Sequence, residues 1–164
     1  MLANIEELIA VRAIEQVMAC RLRAMDTKDW VLYAAMHTDD AIMESFSNFP
    51  CCARPMGTET NGQIVGRDNV TAAIRSLMEE PVPMTSIHHV FSNEITFLSS
   101  TTAIGIWAME DRLLWRNGDT EEELHGFGHY HEEYRCDEGT WRISRRRVAR
   151  LRVEATPNFY DKLR

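Results

Sequence analysis

Three side chains whose types suit proton transfer interrupt apolar patterns in this sequence. The first is Asp26, which ends the i, i+4 row that Met18 and Leu22 begin on a predicted helix. A carboxylate at the C-terminus of a helix is disfavoured by about 0.3–1 kcal/mol, because the helix macrodipole is negative there. Another group must therefore stabilise Asp26. On the same helix, Arg21 also falls on the apolar stripe.

The other two side chains, His89 and Asp111, fall on the apolar faces of predicted strands. Side chains alternate between the two faces of a strand, and the odd-numbered positions of residues 85–98, His89 among them, are the more apolar ones. In residues 103–115 the odd-numbered positions are apolar except for Asp111. A buried carboxylate without a partner costs several kcal/mol. Asp111 is therefore expected to pair with a base, a hydroxyl, a substrate group or an arginine of the last strand.

The elements that position these residues follow from hydrophobic spacing and turn residues. A turn is predicted at His37–Asp40, and hairpin turns are predicted at Ser99-Ser100, Asn117-Gly118 and Asp137–Gly139. The predicted helices run to about Asp26, over Asp29–Met36, and from Asp68 or Asn69 to Pro81; the predicted strands are 41–46, 63–65, 85–98, 101–116, 121–136 and 140–153.

Helices followed by a strand meander predict an α+β fold in one domain, residues 1–164, with the helices on one face of an antiparallel sheet. The four long strands exceed the usual length of about 5–6 residues. A sheet of such strands must bend, and Gly105, Gly126 and Gly128 are candidate bend or bulge sites. We expect a cone-shaped, curved sheet packed on three helices of the N-terminal half, which together enclose a hydrophobic pocket.

Composition restricts the class of protein. Apolar residues make up 45% of the chain and charged residues 26%, values that exclude disorder, and the net charge of −7 argues against a nucleic-acid binder. The longest apolar run, Ala103–Met109, is far shorter than the ~20 residues of a membrane span. The start of the sequence does not resemble a signal peptide. The four cysteines, Cys51-Cys52 among them, form no C-x-x-C pair, which favours a reduced, cytoplasmic protein.

Charge is unevenly distributed along the chain. Residues 141–164 carry a net charge of +6, whereas residues 1–140 carry −13. If the last strand pairs with the strand that holds Glu132 and Glu133, its arginines supply internal counter-charge rather than a docking patch.

Three histidines, His125, His129 and His131, share one face of a predicted strand. A His-x-His pair on a strand can chelate a metal, and cupins use this pattern, but the glutamate of the cupin motif does not follow here. Solvated or subunit-interface histidines are the favoured interpretation, and no metal site is predicted.

The arrangement of these elements and residues resembles the SnoaL-like group of the nuclear-transport-factor-2-like superfamily, which has a cystatin-like α+β fold. This group includes scytalone dehydratase, bile acid 7α-dehydratase and hexachlorocyclohexane dehydrochlorinase. The stretches that carry the resemblance span nearly the whole chain; they are residues 21–30, 89–93, 105–115 and 141–145.

The resemblance implies roles for particular residues. In the eliminating members an aspartate at the end of the first helix pairs with a strand histidine, and these positions match Asp26 and His89. The Trp-x-x-Glu-Asp-Arg stretch is similar to that of the bile acid dehydratase and implies that Asp111 lines the pocket. A last-strand arginine maps to Arg146 by the dehydrochlorinase pattern and to Arg150 by the bile acid dehydratase pattern. The resemblance also implies a homodimer or homotrimer.

These expectations combine into one functional hypothesis. We expect a cofactor-independent lyase, of dehydratase type, in which His89 removes a proton next to a carbonyl and the buried Asp26 orients it. Apolar side chains at Phe91, Trp107 and Met109 predict a hydrophobic, ring-containing substrate, an aromatic or polycyclic hydroxy-carbonyl compound. Asp111 would orient the leaving group or act as a second acid, and a last-strand arginine would hold an anionic oxygen.

Two alternatives remain open at this point. One is an isomerase or cyclase of the ketosteroid or polyketide type on the same fold. The other is a non-catalytic protein, either a small-molecule binder or a subunit like the small subunit of ring-hydroxylating dioxygenases. Because Arg21 stands where the bile acid dehydratase has its catalytic tyrosine, neither the substrate nor the leaving group carries over from that enzyme.

Overall fold

Three helices come before most of the sheet along the chain. The computed structural model describes residues 5–44, 59–60 and 62–163. The helices are α1 (Ile5–Thr27), α2 (Trp30–Ala35) and α3 (Arg67–Glu79), and a 3-10 helix at Phe159–Leu163 closes the described chain; the strands are β1 (His37–Glu44), β2 (Glu59–Thr60), β3 (Gln63–Val65), β4 (Met84–Phe97), β5 (Thr102–Asn117), β6 (Thr120–Asp137) and β7 (Thr140–Ala155).

The strands form one seven-stranded, curved, unclosed sheet in the order β2-β3-β1-β7-β6-β5-β4. The predicted α+β class is confirmed. The sheet is mixed rather than wholly antiparallel, because β1 lies parallel to β7 and joins the small β2–β3 hairpin to the long meander. The meander β4–β7 is antiparallel throughout, as the hairpin turns predicted.

Residues 37–40, predicted as a turn, begin β1 instead. The backbone of His37 is the sheet partner of Ile143, and the N–H of Ile143 donates to the carbonyl oxygen of Met36 at 2.9 Å. The pairing of β1 with β7 has a register shift between His37 and Ile42, and the polar Asp39 and Asp40 lie within that shift. The end of the predicted strand 41–46 and the Cys51-Cys52 pair lie outside the described residues.

The core lies between the helices and one face of the sheet. From α1 it receives Ile14, Met18, Leu22 and Met25, which recur at helical spacing and are 0–6% exposed. Apolar residues of β5 and β6 meet them, among them Trp107, Met109, Leu113 and Leu124. Within the described residues, none of the helices is both long and apolar enough to cross a membrane.

A bulge in β4 decides which residues of that strand face the core. Val90 is the partner of Met109 and Asn93 is the partner of Trp107, so three steps along β4 oppose two along β5. The extra residue switches the face on which alternate side chains lie. Before the bulge the even-numbered residues point to the core, and after it the odd-numbered ones do, as the burial of Met84, Ser86, Asn93, Ile95 and Phe97 records.

Candidate active site

The structure pairs Asp26 with His88. Asp26 lies in the last turn of α1, where the helix packs against the start of β4. Its Oδ1 lies 2.6 Å from Nδ1 of His88 and accepts a hydrogen bond of 2.8 Å from the hydroxyl of Ser86. Its Oδ2 accepts the backbone N–H of His88 at 3.0 Å. Three donors thus stabilise the carboxylate that the helix dipole disfavours.

The sequence predicted His89 as the partner of Asp26, but the partner is the adjacent His88. His89 is exposed and lies on the outer face of β4, whereas the side chain of His88 is only 4% exposed. The prediction assumed that the apolar odd-numbered face of residues 85–98 was buried along its whole length. The bulge after Val90 leaves that face buried only beyond residue 92, so His89 and Phe91 point outward.

The surroundings of Asp26 and His88 determine the charge state of each side chain. Burial alone raises the pKa of Asp26, but hydrogen bonds from His88 and Ser86 outweigh burial and the pKa lies below its ordinary value. The pKa of His88 is lowered by burial, which outweighs the opposing effect of Asp26. At neutral pH Asp26 is therefore ionised and His88 neutral. Nδ1 of His88 then carries the proton, and Nε2 is left as the free base.

A buried ion pair stands next to His88. Asp111 is the sheet partner of His88 across β4 and β5. Its two oxygens accept hydrogen bonds of 2.6 Å each from Nη1 and Nη2 of Arg150 on β7. The side chains are 3% and 7% exposed, so the bidentate geometry neutralises two charges within the core. An arginine of the last strand was one of the partners expected for Asp111.

A second cluster of charges is buried between α1 and the sheet. Arg21 and Arg146 share Glu132, with nitrogen–oxygen distances of 3.9 and 3.2 Å. Both guanidinium groups also lie near the ring of Tyr130, 5.2 and 4.5 Å from its centroid, and Arg21 lies 5.8 Å from that of Tyr33. Two cations facing one carboxylate and aromatic faces leave this part of the interior electropositive.

The aromatic residues join this cluster to the apolar core. Trp107 donates its Nε1 hydrogen to the hydroxyl of Tyr134 at 2.9 Å, and that hydroxyl donates to Glu132 at 2.6 Å. Met109, which is 3% exposed, lies beside Arg150, with Sδ 3.6 Å from Nη1. These predicted lining residues face the interior. Phe91 does not, since 61% of it is exposed on the outer side of β4.

The sequence reasoning missed several residues of this interior. Ser86 and His88 stand at even-numbered positions of residues 85–98, outside the apolar face expected in the core, and Tyr130, Glu132 and His37 are not among the predicted site residues. The alternation of Tyr130, Glu132 and Tyr134 in β6 was a usable signal, because it places a carboxylate on the same strand face as two tyrosines. No comparable signal marked the β4 bulge, since the residues around it, Phe91, Ser92 and Asn93, include no glycine.

The three histidines of β6 lie on the opposite face of the sheet. Nε2 of His125 is 2.7 Å from a carboxylate oxygen of Glu110, and the rings of His129 and His131 are 6.4 Å apart. In the part of the chain that the structure describes, no three His, Cys, Asp or Glu side chains are grouped to hold a metal ion.

Comparison with known proteins agrees with this architecture. A hexachlorocyclohexane dehydrochlorinase of type 2 superposes with a TM-score of 0.72 at 16% identity, over 94% of this chain and 93% of the other. A candidate scytalone dehydratase from Novosphingobium aromaticivorans DSM 12444 superposes with a TM-score of 0.71 at 19% identity, over 91% and 89%. At these identities the likeness shows a shared fold. Residues 6–147 match the SnoaL-like domain family, which confirms the resemblance seen in the sequence. The chain belongs to the SnoaL-like domain family.

Proposed function

We propose that the protein is a lyase that eliminates water from a hydrophobic, ring-containing hydroxy-carbonyl compound without a cofactor. The observation that carries this proposal is the Asp26–His88 pair, a neutral imidazole whose Nδ1 lies 2.6 Å from an oxygen of a partly buried carboxylate. A histidine oriented in this way is suited to act as a general base near neutral pH. The family context supports it as well, because similar structures include a dehydrochlorinase and a candidate scytalone dehydratase.

The proposed reaction is a proton abstraction followed by loss of hydroxide. Nε2 of His88 takes a proton from the carbon next to the substrate carbonyl, and the electron pair of the C–H bond forms the enolate. The enolate then re-forms the carbonyl, the bond to the β-hydroxyl breaks, and the imidazolium returns its proton to the departing oxygen. Asp26 stabilises the imidazolium between these steps, as a carboxylate does beside a catalytic histidine. The products are water and a conjugated enone.

The ion pair between Asp111 and Arg150 is proposed to orient the leaving group. Asp111 is the sheet partner of His88 on the neighbouring strand β5, and Arg150 neutralises the charge of Asp111. A guanidinium held in this way keeps its positive charge and can attract a developing hydroxide or an enolate oxygen. We assign this anion-stabilising role to Arg150. Arg21 and Arg146 contribute through the positive potential of their cluster, because both are almost fully buried behind aromatic rings.

Access to the pair is proposed from the side of Asp26. The Asp26 side chain is 24% exposed while that of His88 is 4% exposed, so the pair lies at the border between the core and solvent. On the core side, Trp107 and Met109 lie on the same face of β5 as Asp111, the sheet partner of His88, and offer apolar surface to a ring. A hydrophobic compound with one polar edge suits such surroundings.

Isomerisation is a second candidate function, because the same single base supports it. An isomerase takes a proton from one carbon and returns it to another, and His88 could do both with Asp26 behind it. Mass spectrometry separates the two reactions, since isomerisation leaves the mass of the substrate unchanged and dehydration removes 18 Da, about one water.

The proposal is tested with a panel of cyclic β-hydroxyketones, in which the ultraviolet absorbance of the conjugated enone reports elimination. His88→Gln is expected to lower kcat about 10²–10⁴-fold, the usual contribution of a general base. His89→Gln, the neighbouring exposed histidine, is the matched control and should retain activity. Equal rates for His88→Gln and the wild type, or binding of the panel without turnover by the wild type, would contradict the proposal.

A further inference from the structure

Ser86 is a buried hydroxyl that contacts the Asp26–His88 pair. It is 4% exposed and lies two residues before His88 on β4, so both side chains point to the same face of the strand. Its hydroxyl donates to Oδ1 of Asp26 at 2.8 Å. This is the oxygen that faces Nδ1 of His88.

The hydrogen bond fixes the orientation of the Asp26 carboxylate. Oδ2 is held by the backbone N–H of His88, and Oδ1 is held by Ser86 from a second direction. The terminal torsion of an aspartate is broad and roughly two-fold, so a carboxylate that is 24% exposed needs such contacts to keep one plane. With both oxygens engaged, Oδ1 stays directed at the imidazole.

The hydrogen bond from Ser86 to Asp26 also affects which group holds a proton after it is taken from a substrate. Ser86 and His88 both donate hydrogen bonds to Oδ1, which makes this carboxylate a weaker base. A proton on Nε2 of His88 then stays on the imidazolium rather than causing the Nδ1 proton to move to Asp26. The histidine therefore keeps the proton that it must hand to the leaving group.

We propose that Ser86 is a positioning residue of the Asp26–His88 pair, which it holds in the geometry and charge state that proton return requires. This inference rests on the function proposed above. Other groups also face His88 and set its background potential: Arg21 from α1, Asp111 from β5 and, through Asp111, Arg150 from β7. Substitution of Ser86 leaves these charged groups in place.

The experiment follows the pair by NMR in the full-length protein, with histidine labelled with ¹⁵N and aspartate carboxyls labelled with ¹³C. Ser86→Ala removes one oxygen atom and is expected to raise the pKa of the Asp26 carboxyl by about 1 unit, because a hydrogen bond to a charged group is lost. The Nδ1–H proton resonance of His88 should change its chemical shift, because Oδ1 then has one donor fewer and the carboxylate loses the contact that fixes its plane. Ser92→Ala, at an exposed serine of the same strand, is the matched control.

Ser86→Thr keeps the hydroxyl and is expected to retain the wild-type pKa and resonance. Where turnover is measured, Ser86→Ala should lower kcat about tenfold with little change in KM, and the acid limb of the pH profile should move. An Asp26 pKa and a His88 resonance that match those of Ser92→Ala would overturn the assignment. Because the NMR readouts need no substrate, absence of turnover would count against the proposed function and leave the result for Ser86 intact.

Discussion

At the scale of single residues, the site depends on a missing side chain. A Cβ atom at Gly126 would lie 2.3 Å from Nη1 of Arg150 and 2.5 Å from Oδ1 of Asp111. The ion pair therefore occupies the space that any other residue would fill, directly over the backbone of β6. Gly128, two residues along, allows a different close approach, since its Cβ would lie 2.1 Å from the carbonyl oxygen of Ala149. Gly126 serves the site, and Gly128 serves the packing of β6 on β7.

Gly126→Ala is expected to displace Arg150 from Asp111 and to destabilise the protein by about 1–3 kcal/mol, the usual cost of overpacking a core. Urea unfolding measures this free energy. The control is a double-mutant cycle with Arg150→Ala, which removes the guanidinium that the new methyl group would meet. We expect the two substitutions to be coupled by more than about 1 kcal/mol. Additive effects would mean that the methyl group does not act through the ion pair.

At the scale of elements, the bulge in β4 selects the histidine. Before the bulge Ser86 and His88 face Asp26, and beyond it Asn93 and Phe97 face the core. A regular strand with the same sequence would bury either His88 or Phe97, but not both. One extra residue lets a single strand present a polar pair at one end and apolar packing at the other.

Two phenylalanines of β4 test the bulge. Phe91 is 61% exposed, so Phe91→Ser is expected to change the free energy of unfolding by less than about 0.5 kcal/mol. Phe97, six residues away with the same parity, packs edge-on against Trp141 with ring centroids 5.9 Å apart. Phe97→Ser should cost about 2 kcal/mol or more. Chemical denaturation of both variants gives the comparison, and similar costs would show that β4 runs without a bulge.

Much of the fold could be predicted from the sequence, because local signals specify it. The turns at Asn117-Gly118 and Asp137–Gly139 set the hairpins, and both Gly118 and Gly139 have the positive φ that such turns require. The alternation in β5 placed Asp111 in the core. The partner of Asp26 could not be predicted, since two adjacent histidines differ only in parity and the bulge depends on packing between strands. Arg150 was found through resemblance, and its partner Asp111 through the cost of an unpaired carboxylate.

At the scale of the whole molecule, the basic C-terminal stretch neutralises carboxylates of other strands. Arg146 faces Glu132 and Arg150 binds Asp111, while on the outer surface Arg145 donates to Glu44 at 2.7 Å. The +6 tail therefore supplies internal counter-charge through Arg146 and Arg150 and a surface ion pair through Arg145. Positive charge also surrounds His37, which is 2% exposed and has its Nδ1 2.8 Å from the carbonyl oxygen of Tyr33.

Stability is expected to fall as the pH drops from about 6.5 toward 3. Burial, followed by the charge of Arg21, lowers the pKa of His37 from 6.5 to about 3. Between these values the unfolded chain binds one proton more than the folded protein, so the free energy of unfolding decreases with falling pH by about 1.4 kcal/mol per unit for this group. His88 acts in the same direction, because its pKa is lowered too.

His37→Gln removes the contribution of that one histidine. In urea unfolding between about pH 6 and 4.5, the slope of stability against pH should be smaller in the variant by about 1.4 kcal/mol per unit. His129→Gln, the same substitution on the outer face of the sheet, is the matched control. Equal slopes for His37→Gln and the wild type would show that His37 is protonated in the folded protein.

The central claim is that Asp26 and His88 form a proton-transfer pair, and a pH titration of His88 by ¹⁵N NMR tests it most directly in the wild type and Asp26→Asn. The charge and hydrogen bond of Asp26 raise the pKa of His88 against the effect of burial. We therefore predict that wild-type His88 is protonated at Nδ1 when neutral and titrates below pH 6.5, about the ordinary value, and that Asp26→Asn lowers its pKa further. An unchanged His88 pKa in Asp26→Asn, or a shift at His89 instead, would contradict the account.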